Sequence, residues 1–411
     1  MERTNKGPMP PGYRFHRPSS VSDYEKLYDV MNSAFKGEGV DSIVRRFIEN
    51  HSEMSDENYF MVMHGEEAIA ALVLIPQRWV IDGEELKVAE MGCVGTVPEY
   101  RNMGLQRILN DEFDVYASEK GYDLCVLAGI PFFYRQFGYQ YAVELDYASE
   151  INVDKLPRGK VLEARPFNET DKQAAQAFLE RSQEKYLVHS VRTESIWRMQ
   201  METGTYGAEP FKASLITSGD EPVAYYRWWT EDKALIIREL AMKNDSYAEE
   251  VASLIRSEAE KQGLEKIKTK LSHEDAFSKY LIEKGAEINK PYGWQVKILD
   301  PMGFLEKLAP ALEKRLAESK FKGLTKTLKM NFWKYAYEVS FEDGKLVNIA
   351  KITDAGRILG MNPYASIQLF LGYRSREDLE YAYPDFYVRD GLDELIDVLF
   401  PRKPGYIHYC Y

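Results

Sequence analysis

Cysteine is scarce: three in 411 residues, Cys93, Cys125 and Cys410. An odd, sparse count with no Cys-x-x-Cys pair argues against a disulfide framework and fits a reducing compartment. The six histidines are scattered, so no metal site is expected. Long apolar runs are also missing. The longest, "AIAALVLI" at 68–75, is far short of the roughly 20 residues that span a bilayer. The N-terminal stretch "MERTNKGPMPPGYRFHRP" has no apolar core of a secretory signal. A soluble, cytoplasmic chain with no membrane partner is expected. Positive charge is in deficit, 53 Lys and Arg against 65 Asp and Glu, for a formal net charge of −12. That disfavours nucleic acid, whose phosphates need a basic face. It suits a cationic partner such as an amine, although acidity also serves solubility alone.

What is present is length and aromatic surface. Hydrophobic residues make up 45% of the chain and aromatics 13%, with 28 Tyr. A chain this long exceeds one typical core, so two to four domains are expected.

Residues 21–35 space their apolar side chains like a helix after a Ser and Asp cap. The segment 57–97 then reads as successive strands, with turn signals at "HGEE" and "DGEE". A helix follows Pro98 and closes at Gly121. "YDLCVLAG" is a short buried strand, "PFFYRQFGY" a short helix and "QYAVELDYASEI" a further strand. The same order returns from 171 to 299: helix, meander, a helix ending at Gly263, strand, short helix, and a last strand "WQVKIL". This is an internal duplication. Beyond "LDPMG" the character changes to helices around a hairpin turned at Glu342-Asp343-Gly344. The expected division is 1–155, 156–300 and 301–411, mixed α/β in the two repeats and α+β in the third part.

The repeats differ in one loop. The first has "GTVPEYRNMGLQ" and the second "AMKNDSYAEEVA". A strand–loop–helix junction exposes backbone N–H groups that, with the helix dipole, attract phosphate. Arg101 adds charge and Gly104 permits close approach, whereas Asp245, Glu249 and Glu250 repel an anion. As a bare pattern Arg-x-x-Gly is equally an ordinary helix start, and the Gly-rich P-loop signature is absent.

The stretch "VGTVPEYRNMGLQRIL" resembles the pyrophosphate loop of GNAT-superfamily acetyltransferases, Arg/Gln-x-x-Gly-x-Gly/Ala. Arg101 and Gly104 match, and Gln106 departs. "LAGIPFFYRQFGY" resembles the GNAT strand and helix ending in Tyr-x-x-Phe-Gly. Across the whole chain, two tandem GNAT-like units, the second degenerate, followed by a sterol-carrier-protein-like domain resemble the Eis (enhanced intracellular survival) family. The resemblance implies acetyl-CoA as co-substrate, N-acetylation of a primary amine (aminoglycoside-like polyamine or lysine side chain) and a homo-hexamer. By position it implies that Val94, Gly95 and Thr96 face the acyl arm. Asn102, Met103, Gly104, Leu105, Gln106 and Arg107 would wrap the pyrophosphate beside Arg101, and Gly129 and Ile130 would line the arm.

Acyl transfer to an amine needs one proton removed from the ammonium and one given to the thiolate. A phenol such as Tyr134 suits the second task. For the first, the resemblance implies the α-carboxylate of Tyr411, at the end of the aromatic tail "GYIHYCY". Burial there would raise its pKa and make it a better base. His408 is the competing base. Cys93 and Cys125, in strands, read as buried hydrophobes. A non-catalytic acyl-CoA or apolar-ligand binding protein is the alternative, and a mainly structural oligomer a third reading.

Overall fold

The structure, a computed structural model, describes residues 9, 11–145, 148–159, 162–206 and 209–408. Its contacts divide into two compact units. One comprises residues up to Val143, Leu187–Val191 and Trp294–Gly405. The other comprises Glu144–Tyr186, Arg192–Gly293 and the tail from Tyr406.

The first unit begins with strand β1 (Tyr13–His16) and helices α1 (Val21–Ala34) and α2 (Val40–Asn50), the latter not anticipated from spacing. Ser20 caps α1 by accepting the Asp23 N–H, the role its type predicts. A meander follows: β2 (Tyr59–His64), β3 (Glu67–Ile81) and β4 (Glu84–Thr96). The β3–β4 turn has both Asp82 (φ 49°) and Gly83 (φ 97°) left-handed, the I′ geometry that Asp-Gly favours. Helix α3 (Leu105–Glu119) ends with Gly121 at φ 68°. The Tyr122 N–H closes back on the Ala117 carbonyl at 2.9 Å, a glycine-terminated helix end. Then come β5 (Leu124–Leu127), a 3₁₀ segment Phe133–Phe137 and β6 (Gln140–Leu145).

Two strands lie elsewhere than their sequence neighbours suggest. Tyr292–Lys297, read above as the close of the second repeat, lies between β5 and β6, with Gln295 opposite Leu127 and Lys297 opposite Cys125. "QYAVELDYASEI" is two strands, not one. Ala148–Asn152 leaves the first sheet and pairs with Lys266–Thr269 in the second unit. Packing explains the first displacement. β5 is buried throughout and needs a ladder on both edges. Trp294 on the incoming strand is wholly buried and meets Trp79 edge-on at 5.6 Å. The contiguous boundaries at 155 and 300 are therefore crossed by exchanged strands.

The second unit has a seven-stranded sheet ordered 287–289, 148–152, 266–269, 234–242, 221–231, 213–218, 163–166, with helix Ala248–Lys261 entered through the 3₁₀ turn Asp245–Tyr247. It repeats the first plan of meander, helix and parallel strand, Ala234–Ile237 lying parallel to Lys266–Thr269. Residues 301–405 add a five-stranded sheet and short helices. The hairpin turns at Asp343 and Gly344, both at positive φ. This part belongs to the first unit, and its contacts with the repeat there include Arg315 with Asp82 (2.8 Å), Lys307 with Asp123 (2.7 Å), and the Gln368 amide on the Tyr141 carbonyl (2.9 Å).

Candidate active site

Strands β4 and β5 run parallel, yet among the described residues they pair only from Val88–Leu124 to Glu90–Val126. β4 continues six residues further, to Thr96, while β5 stops at Leu127. The two therefore part like a V. The cause is a β-bulge. Ala71 pairs with Gly95 but Val73 with Gly92, so Cys93 and Val94 together oppose Leu72. Cys93 takes a left-handed φ of 48°. A bulge bends its strand and re-aims the residues beyond it. The edge of β4 from Met91 to Thr96 is left without a ladder partner on the β5 side.

Val94, Gly95 and Thr96 lie on this free edge. Gly95 is required by packing: a Cβ there would stand 2.8 Å from the Ala34 Cβ and 3.2 Å from the Phe35 ring. Below the edge the junction to α3 opens. Asn102 (φ 64°) and Gly104 (φ 77°) are both left-handed. The backbone N–H groups of Asn102, Met103, Gly104, Leu105 and Gln106 have no acceptor among the described residues, and the first turn of α3 carries no acidic side chain. Five consecutive unused donors at a helix N-terminus form an anion cradle.

Around this cradle the side chains are held. Arg101 is exposed, with its Nε–H on the Thr96 carbonyl at 3.4 Å. Gln106 donates its amide to the Gly95 carbonyl (3.1 Å) and the Thr96 hydroxyl (2.9 Å). The residue that departs from the family pattern thus straps the helix start to the strand end. Arg107 is engaged differently: its N–H returns to the Gly104 carbonyl at 3.0 Å, and its guanidinium reaches Gln136 at 3.0 Å. Met103 is half exposed, and its sulfur accepts the Tyr13 hydroxyl at 3.5 Å. Leu105 is buried in the core.

The other arm of the V carries Gly129, Ile130 and Tyr134. Gln295, fully buried, donates to the Gly129 carbonyl at 3.0 Å. Sequence reading missed this residue because it arrives on the exchanged strand. Tyr134 lies across Gly129 so closely that a Cβ there would be 2.4 Å from its Cε2. Burial pushes the Tyr134 phenol up to about 12, and its ring is 7% exposed. Its hydroxyl makes no hydrogen bond among the described residues. Phe132 sits at φ 71° in a tight turn closed by the Phe133 N–H on the Pro131 carbonyl, a strained conformation of the kind that gathers at functional sites. Met103, Ile130 and Phe132 are 50%, 65% and 75% exposed. Burial likewise pushes the Cys93 thiol up to about 12, so it is no ready nucleophile.

Glu90, also not singled out from sequence, is buried at the point where the strands part and receives the Gln77 amide. Tyr411 lies outside the described residues. The described tail is held in the second unit. The Tyr406 hydroxyl donates to the Lys270 carbonyl at 2.7 Å, and His408 meets the Glu239 carboxylate at 3.4 Å. In that unit's corresponding loop, Asn244 caps its own turn through the Ser246 N–H, and Asp245 pairs with Arg181. Glu249 and Glu250 occupy the first helical turn, so no anion cradle forms.

A divided parallel pair with a donor-rich loop below it offers a free strand edge to a ligand and a cradle to an anion. The sequence profile of the acetyltransferase (GNAT) domain matches residues 16–142. No curated protein matches the chain. Solved structures show the same fold over almost its whole length. A GCN5-related N-acetyltransferase from Anabaena variabilis is 18% identical, covers 96% of this chain and 99% of its own, and has a TM-score of 0.74. A probable N-acyltransferase from Enterococcus faecalis is 16% identical, with coverage of 97% and 100% and a TM-score of 0.77. Eis1 from Mycobacterium abscessus is 14% identical, with coverage of 96% and 99% and a TM-score of 0.63. Residues 16–142 thus carry a GNAT acetyltransferase domain, and the fold shared with these structures extends beyond it over almost the whole chain.

Among the described residues no helix is long and apolar enough to cross a membrane, and no group of three or more His, Cys, Asp or Glu is placed to hold a metal.

Proposed function

We propose that the protein transfers the acetyl group of acetyl-CoA to a primary amine on a cationic acceptor. The observation that carries this reading is the V between β4 and β5, open beyond Glu90 and Val126, with five unused N–H donors at its foot. The free edge of Val94–Thr96 suits the amide-bearing arm of the cofactor, and the cradle of Asn102–Gln106 suits its pyrophosphate. Arg101 adds positive charge beside them.

Acetyl-CoA supplies an activated acyl carbon. The protein's backbone donors near Val94 polarise the thioester carbonyl. As the amine nitrogen bonds to that carbon and the carbon–sulfur bond breaks, the Tyr134 hydroxyl gives its proton to the departing sulfur. Its raised pKa keeps that proton in place at neutral pH, and the dry surroundings raise the thiolate's proton affinity in parallel. The base is the α-carboxylate of Tyr411, on the strength of the Eis resemblance. The acceptor is an aminoglycoside-like polyamine or a lysine side chain, in keeping with the net charge of −12. A sterol-carrier-like third domain, a homo-hexamer and a cytoplasmic setting complete the reading.

The primary test is CoA release from acetyl-CoA with a panel of amines. Turnover on polyamines or lysine peptides is expected; tight acetyl-CoA binding without turnover on any amine returns the protein to the non-catalytic binder. Adding one residue after Tyr411 moves the carboxylate by about 3.5 Å. Turnover should fall at least tenfold, and unchanged turnover removes the terminal carboxylate from the base role.

A further inference from the structure

Far along the chain from residues 16–142, the five-stranded sheet of residues 326–388 ends in a cleft of about 640 Å³, within the size range of small-ligand sites. Asn331, Gly360 and Tyr387 lie in one row across that sheet, each paired with the next. A Cβ on Gly360 would stand 2.4 Å from the Tyr387 ring, so only glycine lets the ring fold flat over the strand. Trp333 forms the facing wall. It is 52% exposed and left-handed at φ 69°, unfavourable for so bulky a residue. Three contacts hold it there: its N–H on the Asn331 side chain (2.8 Å), its indole N–H on the Asp385 carbonyl (3.2 Å), and the Tyr387 ring edge-on at 6.3 Å. A large aromatic is thus fixed in a strained pose and left open to solvent.

The charge lining this cleft is mostly positive. Arg389 lies over the Tyr387 ring at 4.4 Å, and Arg357 stands on the loop after Gly356. Neither has a carboxylate partner among the described residues. Arg376, in the same region, meets Glu377, Glu380, Asp393 and Asp397. The one acid lining the cleft, Asp354, accepts the Gly356 N–H at 2.9 Å. Two unpaired guanidinium groups recognise a phosphate in a fork geometry, and the exposed Trp333 and half-buried Tyr387 rings can stack on a planar group.

We propose that this cleft is a second ligand site, one that takes a nucleoside monophosphate: its ring against Trp333 and Tyr387, its phosphate between Arg357 and Arg389. The combination of a preset aromatic wall with unpaired cations selects a molecule that is both planar and anionic. The reading is independent of the acetyl-transfer site.

The test is equilibrium dialysis of the full chain with AMP, alongside quenching of tryptophan emission. AMP should bind in the presence of saturating acetyl-CoA. Arg357→Glu and Arg389→Glu should each weaken it at least tenfold, and Trp333→Phe should remove most of the quenching. Both arginines are exposed, so these variants should retain the wild-type melting temperature and acetyl-CoA turnover. Adenosine alone and inorganic phosphate alone should each bind more weakly than AMP. The proposal is overturned if AMP fails to bind, if saturating acetyl-CoA displaces it, or if both charge reversals leave its affinity unchanged. Charge reversals that alter the solution mass but not AMP affinity would instead make this face a contact between copies of the chain.

Discussion

Tyr134 and Gly129 form one working pair, because the phenol occupies the space that a side chain on Gly129 would fill. Gly129→Ala should push the ring aside and cost about 1–3 kcal/mol as an overpacked contact. Turnover should fall more than tenfold while acetyl-CoA still binds, read from steady-state rates beside a thermal melt. An unchanged rate would show that the ring position does not matter. Tyr134→Phe removes only the oxygen, so kcat should drop by roughly 10²–10⁴ with little change in acetyl-CoA affinity. Equal losses in both would mean that the tyrosine is packing. The pH dependence follows from the same burial. The phenol is raised from 10 to about 12, so its contribution to folding is complete below pH 10 and is lost as the pH climbs toward 12. The proton it would give in the proposed reaction is present throughout pH 6–9. A descending limb of kcat in that window that disappears in Tyr134→Phe would contradict the raised pKa; one that persists unchanged in Tyr134→Phe belongs to another group.

At the scale of elements, the loop from Val97 to Gln106 shows how much a short motif states alone. Its glycine and arginine were legible, and so was the contrast with the acidic loop of the second repeat. The five unused donors depend on left-handed Asn102 and Gly104, two residue types that tolerate this conformation without requiring it. Gly104 faces open space, so Gly104→Ala tests the backbone alone. It should cost about 1–2 kcal/mol and weaken acetyl-CoA binding several-fold, measured by melting and by titration. Unchanged affinity would separate the turn from the cofactor. The V was not legible. It arises from a bulge at Cys93 and Val94 on a strand whose side chains read as continuous, and register shifts of this kind leave little trace in hydropathy.

For the molecule as a whole, the second unit has lost the anion cradle but contains a buried ionic cluster instead. Arg192 grips Glu239 through both guanidinium nitrogens, at 2.8 and 2.5 Å, and Arg227 and His408 add to it. Burial opposes the charge on Glu239, yet the Arg192 and Arg227 charges and the Arg192 and His408 hydrogen bonds hold its carboxyl well below 4.5. Its stabilisation is therefore full above about pH 4.5 and is lost as the pH falls further. Glu239→Ala leaves two arginines buried without their anion and should destabilise this unit by about 3–5 kcal/mol. Faster hydrogen exchange confined to residues 144–186 and 192–293 would register the loss; exchange unchanged there would make the cluster dispensable. Solution mass by light scattering tests the hexamer, and a monomer at working concentrations would remove it from the reading.

The amino-acid sequence by itself determined what depends on neighbours in the chain. The caps of α1 and α3, the Asp82-Gly83 and Asp343-Gly344 turns, the two repeats and the difference between their strand–helix loops all follow from local dihedral preference and side-chain period. Tertiary structure decided what depends on distant pairing. It sent Tyr292–Lys297 into the first sheet and Ala148–Asn152 into the second, brought Gln295 beneath Gly129, parted β4 from β5, and set Trp333 opposite Tyr387. Those outcomes rest on which buried edge finds a partner. That is a competition among long-range contacts whose side chains look alike in sequence, so the choice is made only when the whole chain packs.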